Sequence, residues 1–188
     1  VAAQLQRYYV VDLGNGRSAE VLYFFWVKVI PCPECSTPVD LFGSYNFAQH
    51  AYARKHPKAQ AVCPGCGEIT ETRFDAAEVQ CCGCGRRFNP KAGPAKGTRA
   101  HCPVCAHTFP IARTIRESGR SPDHRMYAKL VLHTDGHKEY LRATDADHSQ
   151  YEAARAALKY RHNPYPVIEI KPGYNTDQAL GYNYRHWH

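Results

Sequence analysis

Eight of the nine cysteines fall into four C-x-x-C pairs, Cys32/Cys35, Cys63/Cys66, Cys81/Cys84 and Cys102/Cys105. No other feature limits the possible folds as much. Two cysteines separated by two residues bend into a knuckle that offers both sulfurs to one ion, and two knuckles complete a tetrahedral Zn²⁺ site. Four knuckles therefore predict two zinc ions. Four thiolates around one ion leave no position for water, so metal held in this way shapes a protein and does no chemistry. A disulfide framework, or a single redox-active pair, accounts less well for four knuckles in a glycine-punctuated, strand-rich region.

Which knuckles share an ion is less constrained. Cys63-Pro-Gly-Cys66-Gly and Cys81-Cys82-Gly-Cys84-Gly are separated by a segment long enough for a short hairpin but not for a domain. They read as one compact inner ribbon, which leaves Cys32, Cys35, Cys102 and Cys105 for an outer site. The alternative is sequential, with 32/35 joined to 63/66 and 81/84 joined to 102/105. Loop-closure cost grows slowly with length, and the inner loop is the shorter one, so the nested order is the preferred expectation. Glycine after each inner knuckle suits a turn that needs positive φ. Cys82 is a spare thiol, not a ligand.

The 188 residues, 44% of them hydrophobic, suffice for one core with a small appended module. No apolar run is long enough to span a bilayer, so no membrane partner is expected and the location is read as cytoplasmic. A net charge of +7, with 13 tyrosines and 11 histidines, suits nucleic acid as a partner. Arg86, Arg87, Lys91, Lys96 and Arg99, set in Gly/Pro-rich loops, are the candidate DNA contacts. The competing reading is a solubilising surface. The link to the inner ribbon is also basic, at Arg54, Lys55 and Lys58.

The fold class expected is α+β and strand-rich: two nested zinc ribbons, a β-hairpin and one helix. Residues 1–31 should form a hairpin leading into the first knuckle, with a strand over 19–30 after Gly14-Asn15-Gly16. Asp12-Leu13-Gly14-Asn15-Gly16 also resembles a nucleotide-binding loop, but the β-rich run that follows favours the hairpin. Residues 32–105 hold the double ribbon, with the inner one at 63–88. Residues 106–188 hold a hairpin, a helix and an extended tail. Phe109 to Gly119 suggests a strand running into a short helix, although the pattern does not decide it. Asp135-Gly136 predicts a two-residue turn between Met126–Thr134 and His137–Ala143. Thr144 and Asp145 should cap a helix over about 146–161, stopped by His162-Asn163-Pro164. Residues 167–170 should form a brief strand. Asn163-Pro164-Tyr165-Pro166 lacks the second proline of an amino-methyltransferase loop and reads as that helix stop.

Several motifs together resemble a known family. They are Phe25-Trp26-Val27-Lys28, the Cys32-Pro33-Glu34-Cys35 knuckle and Gly97-Thr98-Arg99-Ala100-His101-Cys102-Pro103-Val104-Cys105. Ile170-Lys171-Pro172-Gly173-Tyr174-Asn175-Thr176 and Gly181-Tyr182-Asn183-Tyr184-Arg185-His186-Trp187 complete the set. The order is similar to the zinc-ribbon region of the large adenine-specific DNA methylases that contain a zinc ribbon. The resemblance implies an insertion in a catalytic methyltransferase domain in cis, with S-adenosylmethionine bound elsewhere in the parent protein. It supports the nested pairing, because the family's single ribbon matches the outer knuckles. The inner ribbon is then an extra module. No catalytic residue carries over, because neither the cofactor loop nor an Asp-Pro-Pro-Tyr motif occurs in this sequence. The chain begins at Val1, and it reads as part of a longer polypeptide. Tyr182, Tyr184, Arg185 and Trp187 are expected to pack on the catalytic domain, not on bases. A free-standing zinc-ribbon module binding nucleic acid or protein is the alternative. A third reading is a purely structural brace within the methylase.

Overall fold

The structure, a computed structural model, describes residues 6–14 and 16–159. In chain order, β1 (Val10–Gly14) and β2 (Arg17–Pro31) pair as the expected hairpin, Val10 opposite Glu20. The long strand covers the predicted 19–30 run. Strand β3 (Pro38–Asp40) folds back on the end of β2, Val39 opposite Ile30. Strands β4 (Asn46–Phe47), β5 (Lys58–Val62) and β6 (Ile69–Arg73) form one antiparallel sheet. Strands β7 (Val79–Gln80) and β8 (Arg87–Phe88) form a second. Strands β9 (Ala95–Lys96), β10 (Arg99–His101) and β11 (Thr108–Pro110) form a third, which runs into helix α1 (Ile111–Ser118). Last come β12 (Asp123–Leu132), β13 (Lys138–Arg142) and helix α2 (Asp145–Lys159).

The architecture is strand-rich α+β, with two helices among the described residues where one was expected. The 109–119 stretch is a short strand running into α1, the arrangement that its sequence suggested without deciding. Ile111 and Ile115 place an apolar stripe on that helix, and Gly119 ends it at φ 66 with its N–H on the Arg116 carbonyl. The Asp135-Gly136 turn is longer than predicted. The His133 N–H donates to the His137 carbonyl at 2.8 Å, so three residues close the loop, with Gly136 at φ 85. A three-residue loop of this kind needs a left-handed residue at its end, which is why Asp-Gly signals a hairpin without fixing its length.

Helix α2 begins as Thr144 predicts, but its partner is Asp147, not Asp145. The Thr144 N–H and hydroxyl donate to Asp147 Oδ2 at 2.8 and 2.7 Å, and the Asp147 N–H reaches back to Thr144 Oγ1 at 3.4 Å. This reciprocal box satisfies donors that the first turn would otherwise leave open. The expected helix stop at 162–164, the strand over 167–170 and the aromatic tail lie outside the described residues.

The chain divides into two compact units. The first takes its described residues from Val1–Trp26, Ser44–Ala92 and Met126–Arg161, and the second from Val27–Gly43 and Gly93–Arg125. In the first, β1-β2-β12-β13 form a sheet whose core is Val11, Ala19, Val21 and Val131. Phe47 of β4 sits against Phe25, Tyr127 and Tyr140 of that sheet, with ring centroids 5.2, 5.3 and 5.9 Å away. Edge-to-face rings at these distances pin the inner ribbon's sheet to the larger one. In the second unit, Ile30, Val39, Ala100, Phe109 and Ile115 close around Cys32 and Cys102. A Cβ at Gly93 would collide with the Phe42 carbonyl oxygen, so this close approach of two backbone segments requires glycine.

Candidate metal centres

The four knuckles share one local geometry. In each, the first cysteine's N–H donates to the carbonyl five residues on: Cys32 to Thr37, Cys63 to Glu68, Cys81 to Arg86 and Cys102 to His107, all at 2.8–2.9 Å. The N–H four residues on returns to the first cysteine's carbonyl, from Ser36, Gly67, Gly85 and Ala106 at 2.8–3.0 Å. Those four residues all have positive φ, at 60, 75, 72 and 62°. The inner ribbon places glycine there, as expected. The outer ribbon holds Ser36 and Ala106 in the same left-handed turn, where a Cβ costs roughly 1–2 kcal/mol. Ala106→Gly is expected to stabilise the outer ribbon by about 0.5–1 kcal/mol, after the greater freedom of glycine in the unfolded chain is subtracted. Paired thermal melts of the two proteins measure it.

The sulfurs converge in two groups of four. Cys32, Cys35, Cys102 and Cys105 form one and Cys63, Cys66, Cys81 and Cys84 the other, with all sulfurs in a group within 4.8 Å of one another. The closest sulfurs are 3.6 and 3.7 Å apart in the outer group (Cys32–Cys105, Cys35–Cys102). In the inner group they are 3.7 and 3.5 Å apart (Cys63–Cys84, Cys66–Cys81). A tetrahedron with Zn–S of about 2.3 Å requires S···S near ~3.8 Å. A disulfide requires about 2.05 Å. The spacing fits a metal, and all nine cysteines are free. The grouping is nested, not sequential.

The backbone also prepares the sulfurs for negative charge. The Gly65 N–H reaches Cys63 Sγ at 3.3 Å, and the Gly83 and Cys84 N–H groups reach Cys81 Sγ at 3.3 and 3.5 Å. Hydrogen bonds from Thr37 hold Cys35 down to about 6. Burial opposes ionisation of Cys81, but the backbone N–H groups of Cys84 and Gly83 outweigh it and bring that thiol also to about 6. The Glu68 backbone favours the Cys66 thiolate and the His107 backbone that of Cys105. Burial and the three neighbouring thiols prevail in both cases and push each to about 12. Four thiolates cannot coexist at such distances without a cation between them. When bound, zinc supplies that charge and acts as a cross-link.

Protons and zinc compete for the same sulfurs, so falling pH weakens metal retention. Cys35 and Cys81 remain thiolates down to about 6. Zinc affinity is therefore expected to fall with acidity throughout, and more steeply below that point. Chelator competition between pH 8 and 5 measures the slope.

Cys82 is exposed and not a member of the inner cluster, its Sγ 3.4 Å from Thr70 Oγ1. All five candidate DNA contacts are exposed, but they are divided between the units. Lys96 and Arg99 face each other in register across β9 and β10. Arg87 pairs with Glu78 at 3.2 Å, and Lys91 Nζ donates to the Asp75 carbonyl at 3.2 Å. Arg86 lies over Gly65, where an added Cβ would sit 3.2 Å from Arg86 Cδ and 3.3 Å from Nη1. That places a cation beside a centre whose four thiolates would carry a net charge of about −2 with one zinc bound, a contact that residue spacing did not signal.

No family model, curated protein or solved structure matches this chain. The fold and the two tetra-cysteine clusters define a double zinc-ribbon protein, strand-rich and α+β, in which the cysteines of one ribbon fall between those of the other in sequence. No helix among the described residues is long and apolar enough to cross a membrane.

Proposed function

We propose that this chain is the zinc-ribbon region of a DNA adenine N6-methyltransferase, a structural insertion that helps hold DNA and carries none of the chemistry itself. The observation that carries the structural part is the closed set of four thiols at each site, which leaves no coordination position for water or substrate. Metal bound there fixes two small folds whose apolar cores are too slight to stand alone. The methylase context rests on the Phe25–Lys28 strand, the outer knuckles and the tail motifs.

In this reading the parent enzyme extrudes the target adenine from the duplex and transfers a methyl group from S-adenosylmethionine within another part of the polypeptide. The present residues contribute phosphate contacts. Lys96 and Arg99, adjacent and exposed, are the best-placed pair in the outer unit, with Arg86, Arg87 and Lys91 in the other. Lys96→Glu/Arg99→Glu is expected to weaken duplex DNA binding about tenfold and to lower the salt slope by about 2. Fluorescence anisotropy at several salt concentrations reads both. Unchanged affinity would leave the region as a brace. The reading frame tests the wider claim. A glycine-rich cofactor loop upstream and Asp-Pro-Pro-Tyr downstream support the methylase, whereas a stop codon just past His188 favours a free-standing module.

A further inference from the structure

Residues 48–58, which lead from β4 into β5, gather rings and cations that neither zinc site uses. The rings of His50 and His56 lie with centroids 4.3 Å apart, and those of His50 and Tyr52 are 5.9 Å apart. One turn fixes this group. The Tyr52 N–H donates to His50 Nδ1 at 3.0 Å, and the Lys55 and His56 N–H groups both donate to the Tyr52 carbonyl at 3.0 Å. With Nδ1 accepting, the other ring nitrogen of the exposed His50 is an N–H donor. Just before the turn, Ala48 adopts φ 50. Non-glycine residues held in that region collect at binding sites, where surrounding structure enforces the strain.

Beside the turn is an open cleft of about 590 Å³ lined by His50, Lys55, His56, Lys58 and Tyr140. Lys58 also meets Glu71 at 3.1 Å, an exposed pair that contributes little and is readily exchanged for another anion. Tyr52 is 70% exposed, an aromatic ring held out in solvent by an ordered turn.

We propose that this cleft binds single-stranded nucleic acid. Lys55 and Lys58 meet backbone phosphates, His50 and His56 donate to phosphate or base edges, and Tyr52, outside the cleft's lining but with its ring against that of His50, provides the face on which an unpaired base stacks. A bare phosphate gains nothing from an exposed tyrosine. A duplex keeps its base faces stacked internally, so only an unpaired strand uses the ring and the cations together. The net charge of +7 draws such a polyanion towards the chain. The inference goes beyond the methylase reading and requires only that the inner ribbon be folded.

The test uses the full zinc-loaded chain and a fluorescein-labelled oligothymidine, with a duplex of similar length and inorganic phosphate as comparisons. Tyr52→Ala is expected to weaken oligothymidine binding about tenfold. Lys55→Gln should reduce the salt slope by about 1. Tyr23→Ala, which removes a ring 63% exposed on β2, should change neither. Zinc content and circular dichroism of each variant keep misfolding apart from lost contacts. Full affinity in Tyr52→Ala, equal loss of duplex and single-strand binding, or displacement of the oligonucleotide by an equal concentration of phosphate would overturn the proposal. If Lys96→Glu/Arg99→Glu weakens duplex binding about tenfold while Tyr52→Ala leaves oligothymidine binding intact, this inference fails and the proposed DNA-holding role of Lys96 and Arg99 stands.

Discussion

Stripping zinc from both sites is expected to abolish the cooperative thermal transition of the two ribbons. Elemental analysis before treatment should find two zinc ions per chain. The ribbon cores show why the effect is large. The outer one consists of Ile30, Val39, Ala100, Phe109 and Ile115 around Cys32 and Cys102. The inner one is smaller still, Ala61, Val79 and Phe88 around Cys63 and Cys81. Burial of a few side chains at roughly 1.5–3 kcal/mol each does not offset the ordering of some dozens of residues at about 1–2 kcal/mol apiece. Structural zinc contributes on the order of 10–16 kcal/mol in small domains. Because the two cores share no residue, the sites should be separable. Cys63→Ser/Cys66→Ser is expected to retain one zinc and the outer ribbon, while Cys82→Ser retains both ions. A Cys63→Ser/Cys66→Ser protein that still held two zinc ions would sink the assignment of the inner site.

The second large effect concerns a buried ion pair that belongs to neither cysteine cluster. Lys129 Nζ donates to both carboxylate oxygens of Asp147 at 2.8 and 2.7 Å, and the side chains are only 6% and 1% exposed. Removing one member strands the other in a medium that solvates charge poorly, a cost of about 3–5 kcal/mol. Asp147→Ala should exceed Lys129→Met, because it also dismantles the Thr144 box, worth about 1 kcal/mol. Urea unfolding at neutral pH measures both. Burial pushes the Asp147 carboxyl up, but the Lys129 ammonium and the Thr144 hydroxyl and N–H outweigh it and hold it below its ordinary 3.8. A carboxyl with a depressed folded-state value stabilises above 3.8, and that contribution disappears as pH falls through the folded-state value. The gap between the unmodified chain and Asp147→Ala should therefore narrow only in strong acid. A gap that narrowed between pH 8 and 5 would contradict this account.

Much of the architecture was legible before any coordinates, because short-range chemistry dictates it. Two cysteines three residues apart specify a knuckle by themselves, with glycine following in the inner pairs and Ser36 or Ala106 in the outer ones. Gly14 and Gly16 specify a turn after Val10–Leu13, and Thr144 specifies a helix start. Each requires only a few neighbouring residues to agree. Loop length after Asp135-Gly136 and the capping partner of Thr144 were less accessible, since residues of nearly equal propensity compete for those positions. At 109–119 the sequence suggested a strand running into a short helix without deciding it, because a short apolar run satisfies both periods.

What the sequence determined by itself is that this chain makes four thiol clips and a strand-rich framework around them, since those depend on local spacing. Only the tertiary structure decided which clips share an ion, because closing either loop costs nearly the same and the choice falls to the packing of Phe88, Phe109 and their neighbours. It also decided that Lys129 lies buried on Asp147, and that His50, Tyr52, Lys55 and His56 gather in one turn. Burial and convergence are properties of the surroundings, and no window of sequence contains them.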